Sequence, residues 1–125
     1  LEPADTLILS SPEKIIEDGG TVFFARVCGR IIGTCALIKI DEQTFELAKM
    51  AVADEYQGLG AGRMLLEACI TKAKSKAAKF VILETNTKLE SAVRLYKKAG
   101  FKPLQKNEAA PSKYARVNLV MKLEL

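Results

Sequence analysis

The chain has 125 residues, of which 49% are hydrophobic and 27% are charged, and its formal net charge at pH 7 is +4. This size and composition predict one globular domain over residues 1–125 and exclude a disordered chain. No apolar run approaches the roughly 20 residues of a membrane span, and no signal sequence stands at the start. The charge suits an anionic ligand but is too small to indicate nucleic acid. We therefore expect neither a nucleic-acid nor a membrane partner.

Histidine is absent, which excludes serine–histidine and cysteine–histidine triads, histidine metal ligands and histidine acid–base catalysis. Proton transfer must then depend on Asp, Glu, Tyr, Lys, Cys, a terminus or water. The cysteines are odd in number and lie far apart in apolar runs, at Cys28, Cys35 and Cys69. This pattern predicts small buried side chains in a reducing compartment, no metal site and a cytoplasmic location.

The first half of the chain predicts a helix followed by an antiparallel meander. Ser11-Pro12-Glu13 has the residue types of a helix start, and Gly19-Gly20 ends that helix. Three runs rich in β-branched and other apolar residues follow, and they predict strands over residues 21–27, 31–40 and 44–53. Because the links between these strands are short, neighbouring strands are expected to be antiparallel.

After residue 53 the pattern changes to alternating helices and strands. A loop over 54–60 precedes an amphipathic helix over about 61–77 and a buried strand over 80–84. A right-handed crossover through that helix makes the strand parallel to the third one. A capping box from Thr87 to Glu90 is expected to open a second helix, which Gly100 ends. A short strand over 101–104, a polar loop and a last strand over 115–125 complete the chain.

Three alternating glycines, Gly58, Gly60 and Gly62, lie between a predicted buried strand and a predicted helix. Glycine permits positive φ angles and close approach of a ligand to the backbone. The N–H groups of such a loop and of the first helical turn, together with the helix dipole, favour an anion such as pyrophosphate. Arg63 adds a positive charge beside them. The alternative is a tight turn that binds nothing.

Two other phosphate-binding motifs fit this loop less well. A P-loop ends in Gly-Lys-Ser or Gly-Lys-Thr, whereas this loop ends in Gly62-Arg63-Met64. The dinucleotide fingerprint GxGxxG has a different spacing and a first glycine directly at the strand end. A nucleotide-dependent oxidoreductase is therefore a disfavoured rival, although Glu84 stands where that fold has its acid.

Two segments together resemble a known superfamily. Val52-x-x-x-x-Gln57-Gly58-x-Gly60-x-Gly62-Arg63 resembles the coenzyme A loop of the GNAT superfamily, the acetyl-CoA-dependent N-acetyltransferases. Ala92-x-x-Leu95-Tyr96-x-x-x-Gly100-Phe101 resembles its second signature, and Tyr114-x-Arg116-x-Asn118-x-x-Met121 resembles its ending. The resemblance implies a mixed α/β fold with a mostly antiparallel sheet, splayed between two parallel strands and flanked by helices on both faces. The part before residue 21 is short for the superfamily.

The resemblance implies acetyl-CoA as cosubstrate, bound in the gap between the strands at 44–53 and 80–85. The backbone of residues 50–52 would hydrogen-bond the pantetheine arm, and the amides of residues 58–63 would hold the pyrophosphate. Asn86 is the nearest candidate to replace an asparagine that many members carry where this chain has Leu89. The expected coenzyme-binding residues are Met50, Ala51, Val52, Gln57, Gly58, Leu59, Gly60, Ala61, Gly62, Arg63 and Asn86.

The implied reaction is acetyl transfer to a primary amine within a ternary complex. The amine must lose a proton, and in a chain without histidine a carboxylate is the expected base. Glu46 and Glu84 both match glutamates that serve as bases in family members, and which of them acts stays open. The alternative for each is a non-catalytic role, as an outward-facing charge or as a member of an ion pair. Tyr96 matches the tyrosine that protonates the departing thiolate, with a core aromatic as the alternative. A backbone N–H near Met50, at a β-bulge, would stabilise charge on the thioester oxygen.

The acceptor is expected to be a small-molecule or peptide amine. Tyr114 and Arg116 lie in a segment that borders the acceptor site in similar sequences, and Arg116 is a candidate to bind an acceptor carboxylate. The alternative function is a catalytically silent acyl-CoA-binding module, which the presence of Tyr96 and both glutamates disfavours. The oligomeric state stays open, a homodimer included.

Overall fold

A computed structural model of the chain describes residues 12–104 and 118–125. The helices and strands in chain order are α1 (Pro12–Glu17), β1 (Thr21–Val27), β2 (Arg30–Lys39), β3 (Thr44–Val52), a 3-10 turn (Asp54–Tyr56), α2 (Ala61–Ser75), β4 (Phe80–Thr85), α3 (Glu90–Lys98), β5 (Lys102–Pro103) and β6 (Leu119–Glu124). None of the helices in these ranges combines the length and the hydropathy that crossing a bilayer would require.

The strands form one six-stranded sheet in the order β1-β2-β3-β4-β6-β5. Neighbouring strands are antiparallel except β3 and β4, which are parallel because α2 connects them. The predicted meander, crossover and mixed fold class are confirmed.

The core lies on the face of the sheet that α2 and α3 cover. Alternation along β3 and β4 points one set of side chains to this face, where they are almost fully buried. α2 packs the apolar stripe that its helical spacing predicts, and α3 contributes an aromatic ring to the same cluster. The main members are Leu37, Phe45, Leu47, Leu65, Leu66, Cys69, Val81, Leu83, Tyr96, Phe101 and Met121. This packing fixes the ends of β3 and β4 relative to the starts of both helices.

The cysteines only partly follow the sequence prediction. Cys35 on β2 and Cys69 on α2 are fully buried, and their sulfur atoms lie 3.6 Å apart as free thiols. The hydrogen bond from Cys69 and burial both raise the pKa of the Cys35 thiol. The prediction for Cys28 is wrong, because this residue is exposed in the two-residue turn between β1 and β2. It has a φ of 50° there and Gly29 has 78°, the conformation that a tight hairpin requires.

The predicted capping box at the start of α3 is also wrong. The N-cap is Leu89, and no side chain caps the helix. The Thr87 hydroxyl instead accepts a hydrogen bond from Asn118 Nδ2 at 3.2 Å, while the Thr87 N–H donates to Asn118 Oδ1 at 2.9 Å. A contact between distant segments has therefore replaced the local cap.

Candidate functional site

An opening separates the carboxyl ends of the two parallel strands. Pairing between β3 and β4 ends at Leu47 and Leu83, although β3 continues to Val52 and β4 to Thr85. On their other sides β3 still pairs with β2, and β4 with β6. No strand among the described residues pairs with the side of residues 48–52 that faces β4. That backbone edge can bind an extended ligand as a sheet binds an added strand.

A β-bulge lies in β3 at the border of this opening. Thr34 and Ala36 on β2 are two residues apart, but their partners on β3, Ala51 and Ala48, are three residues apart. The segment of β3 between these partners therefore contains one extra residue. Lys49 in the bulge has a φ of 56°, a left-handed conformation that side-chain-bearing residues rarely adopt. The bulge expected near Met50 is therefore present, and it faces the opening.

The loop between β3 and α2 presents a row of backbone N–H groups. Gly58 and Gly60 have φ angles of 81° and 90°, which favour glycine. No backbone carbonyl in the described ranges accepts an N–H of residues 58–63, and the first helical bond runs from Met64 to Gly60 at 3.0 Å. A Cβ on Gly58 or Gly60 would meet no atom within 4 Å, so an anion has room to approach. These features fit a diphosphate at the N-terminus of α2.

The third glycine and Arg63 differ from the first two glycines. A Cβ on Gly62 would lie 3.5 Å from the Leu95 side chain, so this glycine lies where α3 packs against the start of α2. The Arg63 guanidinium is exposed, and its Nε is 3.9 Å from the Glu67 carboxylate. Such an exposed pair is weak, so the guanidinium is available to a phosphate.

Two polar side chains expected to contact the coenzyme also stabilise the rim of the opening. Gln57 Nε2 donates to the Val52 carbonyl at 3.1 Å and to Asp54 Oδ1 at 3.3 Å, which braces the loop against the end of β3. Asn86 Oδ1 accepts the Lys88 N–H at 2.9 Å and forms an Asx turn ahead of α3. Contact of either side chain with coenzyme A stays a prediction.

The two candidate bases lie on one face of the sheet. Glu46 is in register with Ile82, and Glu84 is two residues further along β4, so the three side chains share a face. The buried Leu47 and Leu83 alternate with them and point to the helix-covered face. Both glutamates are partly buried close to the place where the strands separate.

The candidate acid lies on the other face. Tyr96 is only 6% exposed, and its ring packs edge-on against Phe101 with the centroids 6.0 Å apart. Burial raises the pKa of Tyr96 to about 12, with a smaller contribution from the nearby Cys35 thiol on β2. The phenol is therefore protonated at neutral pH. The sheet therefore separates the Tyr96 phenol from the two carboxylates.

Comparison with known proteins identifies the family. The chain matches the family model described as "Acetyltransferase (GNAT) family" over residues 2–101. The chain belongs to the GNAT acetyltransferase family. An uncharacterized N-acetyltransferase of Mycobacterium bovis is 34% identical over 90 residues, which are 72% of this chain and 58% of that protein. This GNAT chain thus spans less than two thirds of the length of that relative.

Solved GNAT structures have the same fold. A GNAT-family acetyltransferase from Staphylococcus aureus superposes with a TM-score of 0.85 at 26% identity, covering 99% of this chain and 80% of that one. A GNAT-family acetyltransferase from Elizabethkingia anophelis, solved with acetyl-CoA bound, superposes with a TM-score of 0.74 at 27% identity. Its alignment covers 100% of this chain and 92% of that one.

One predicted pair of GNAT site residues lies outside the described residues, namely Tyr114 and Arg116. Two other residues, Asn118 and Thr34, were given no role from the sequence, although Asn118 belongs to the motif at the end of the chain. Asn118 joins the start of α3 to β6, and its N–H donates to the Thr85 carbonyl at the end of β4. Thr34, fully buried on β2, contacts the bulge. The only sequence signal for Thr34 is that it is a polar residue within an apolar strand.

Proposed function

We propose that the protein transfers the acetyl group of acetyl-CoA to a primary amine while both substrates are bound. The observation that carries this proposal is the opening between β3 and β4, which adjoins the N–H groups of residues 58–63. The exposed backbone edge of residues 48–52 suits an extended pantetheine arm, and the loop suits its diphosphate. No single one of these features would indicate coenzyme A, but one ligand can satisfy all of them.

The proposed chemistry uses groups on both faces of the sheet. Acetyl-CoA supplies an activated acetyl thioester. Glu46 or Glu84 accepts a proton from the amine, and the amine nitrogen forms a bond to the acetyl carbon as the carbon–sulfur bond breaks. The Met50 N–H stabilises the charge that develops on the thioester oxygen. Tyr96 donates a hydrogen bond and then its proton to the departing sulfur, and solvent restores that proton.

Thermal unfolding with candidate ligands tests the coenzyme part of the proposal. A ligand that binds only the native state adds about 2.7 kcal/mol of stability at about 100 times its Kd. We expect acetyl-CoA and coenzyme A to raise the Tm and NAD to leave it unchanged. Protection by NAD but not by coenzyme A would support the oxidoreductase rival instead.

Release of the coenzyme A thiol from acetyl-CoA tests the transfer itself. The acceptor panel contains small amines, peptides with a free N-terminus and lysine peptides, each with and without a neighbouring carboxylate. We propose that Tyr114 and Arg116 border the acceptor, so carboxylate-bearing amines are expected to react faster. Binding of acetyl-CoA with no thiol release on any amine would favour the silent acyl-CoA-binding module.

A further inference from the structure

The bulge in β3 has two carbonyl groups that side chains of β2 hold. The Thr34 hydroxyl donates to the Lys49 carbonyl at 3.4 Å, and the Cys35 thiol contacts the Ala48 carbonyl at 3.8 Å. A bulge interrupts the regular ladder, and Lys49 has no partner in the register between β2 and β3. Both β2 side chains are fully buried, whereas Ala48 is partly buried and Lys49 is exposed.

The direction of these carbonyls determines where the following N–H groups point. In a trans peptide the C=O of one residue and the N–H of the next point in opposite directions, and no peptide bond of the described residues is cis. Because the Lys49 carbonyl points to β2, the Met50 N–H points away from β2. On that side β4 has already separated from β3, beyond Leu47. The Met50 N–H therefore points into the opening.

We propose that Thr34 is a positioning residue for acetyl transfer, because its hydroxyl holds the Lys49–Met50 peptide with the Met50 N–H directed at the thioester oxygen. This inference rests on the proposed function. Thr34 lies on a neighbouring strand and acts only through the backbone of β3. The hydrogen bond is long, but the competing orientation would take the fully buried Thr34 hydroxyl away from this acceptor.

The substitution Thr34→Val removes the donor and keeps the shape of the side chain. The Lys49 carbonyl then has no hydroxyl partner, and the peptide can rotate away from the productive orientation. Thr34→Ser keeps the hydroxyl and is the rescuing variant. Thr44→Val is the matched control, because Thr44 begins β3 on the same face of the sheet but at the end away from the opening.

Steady-state kinetics use acetyl-CoA and the amine on which the wild-type protein is most active. Loss of a whole oxyanion donor lowers kcat by about a hundredfold to a thousandfold. A misdirected donor is expected to lower kcat by about tenfold or more in Thr34→Val. The KM for acetyl-CoA should stay within about twofold, because most coenzyme contacts are distant from this peptide. Thr34→Ser and Thr44→Val should retain kcat to within about threefold.

NMR can monitor the Lys49–Met50 peptide directly, and this measurement needs no acceptor amine. The amide signal of Met50 in a nitrogen-15 NMR spectrum is expected to shift when acetyl-CoA is added to the wild type and to Thr34→Ser. The same signal in Thr34→Val should differ before acetyl-CoA is added and should shift less afterwards. The Kd of coenzyme A, measured in parallel, shows whether the variant still binds.

The outcomes separate this inference from the proposed function. A wild type that neither binds acetyl-CoA nor releases thiol would contradict the proposed function, and an unchanged Met50 signal in free Thr34→Val would still overturn the positioning role. An active wild type with an equally active Thr34→Val overturns the positioning role alone. Equal losses in Thr34→Val and Thr34→Ser, or a loss in Thr44→Val, would also overturn it, because they indicate general damage to the sheet.

Discussion

Tyr96 is the residue at which burial and chemistry interact most directly. Its phenol lies in the core beside Cys35, and burial raises its pKa to about 12. A phenol with this pKa transfers its proton less readily than one with the ordinary value of about 10. We therefore expect Tyr96 to act first as a hydrogen-bond donor to the departing sulfur. Replacement by phenylalanine should lower kcat, and unchanged turnover in Tyr96→Phe would remove this residue from the mechanism.

The raised pKa of Tyr96 also predicts a pH dependence of stability. Between pH 10 and 12 the unfolded tyrosine loses its proton while the folded one keeps it, so the free energy of unfolding falls as pH rises. The loss amounts to roughly 2–3 kcal/mol for a shift of this size. Urea unfolding of the wild type and of Tyr96→Phe across this range measures it, because other titrations cancel in the difference. Parallel stability curves would contradict the prediction.

At the scale of elements, the loop and the start of α2 together form the proposed anion-binding site. Its geometry depends on left-handed backbone at Gly58 and Gly60, whereas Gly62 is an ordinary helical residue. The three glycines look equivalent in the sequence, but their substitutions should have different effects.

The substitution Gly60→Ala should weaken coenzyme A binding by about tenfold or more, because a left-handed conformation costs an alanine roughly 1–2 kcal/mol. The N–H groups would move as the loop relaxes. Gly62→Ala is the matched control, and its Cβ makes only an ordinary contact with Leu95. Calorimetric titration with coenzyme A measures both variants. Equal effects of the two substitutions would show that the backbone conformation at Gly60 is unimportant.

At the scale of the whole molecule, the sheet separates the proposed coenzyme side from the proposed acceptor side. The proposed anion-binding loop leads into α2 on the helix-covered face, and Tyr96 lies on that face as well. Glu46 and Glu84 lie on the opposite face. The two substrates would therefore approach from opposite faces and meet in the opening between β3 and β4.

This separation predicts the behaviour of the two glutamates. Glu46→Gln or Glu84→Gln, whichever removes the base, should lower kcat by about a hundredfold near neutral pH. The Kd of coenzyme A should change little in either variant, because the proposed diphosphate site lies towards the other face. Rates measured up to high pH provide the check, since an amine that is already deprotonated needs no base. A large loss of coenzyme A affinity would contradict the separation of the two faces.

Much of the fold could be predicted because its signals are local. Apolar runs, helical spacing and short links predicted the meander, the crossover and the parallel pair, all of which the structure has. The prediction of a capping box at Thr87 failed because Thr87 forms hydrogen bonds with Asn118, which is distant in the chain. The prediction that Cys28 is buried failed because this residue lies in the exposed hairpin turn between two largely apolar strands.

The sequence by itself indicated an anionic ligand and the candidate chemistry, and its resemblance to the family indicated coenzyme A. Glycine spacing and the start of a helix are properties of short segments, and the absence of histidine is a property of composition. These signals can therefore be recognised without knowing any long-range contact. Only the tertiary structure decided that β3 and β4 separate after Leu47, that the glutamates and Tyr96 lie on opposite faces, and that Thr34 holds the bulge. These features depend on register and packing between segments that are far apart in the chain, and no local pattern encodes them.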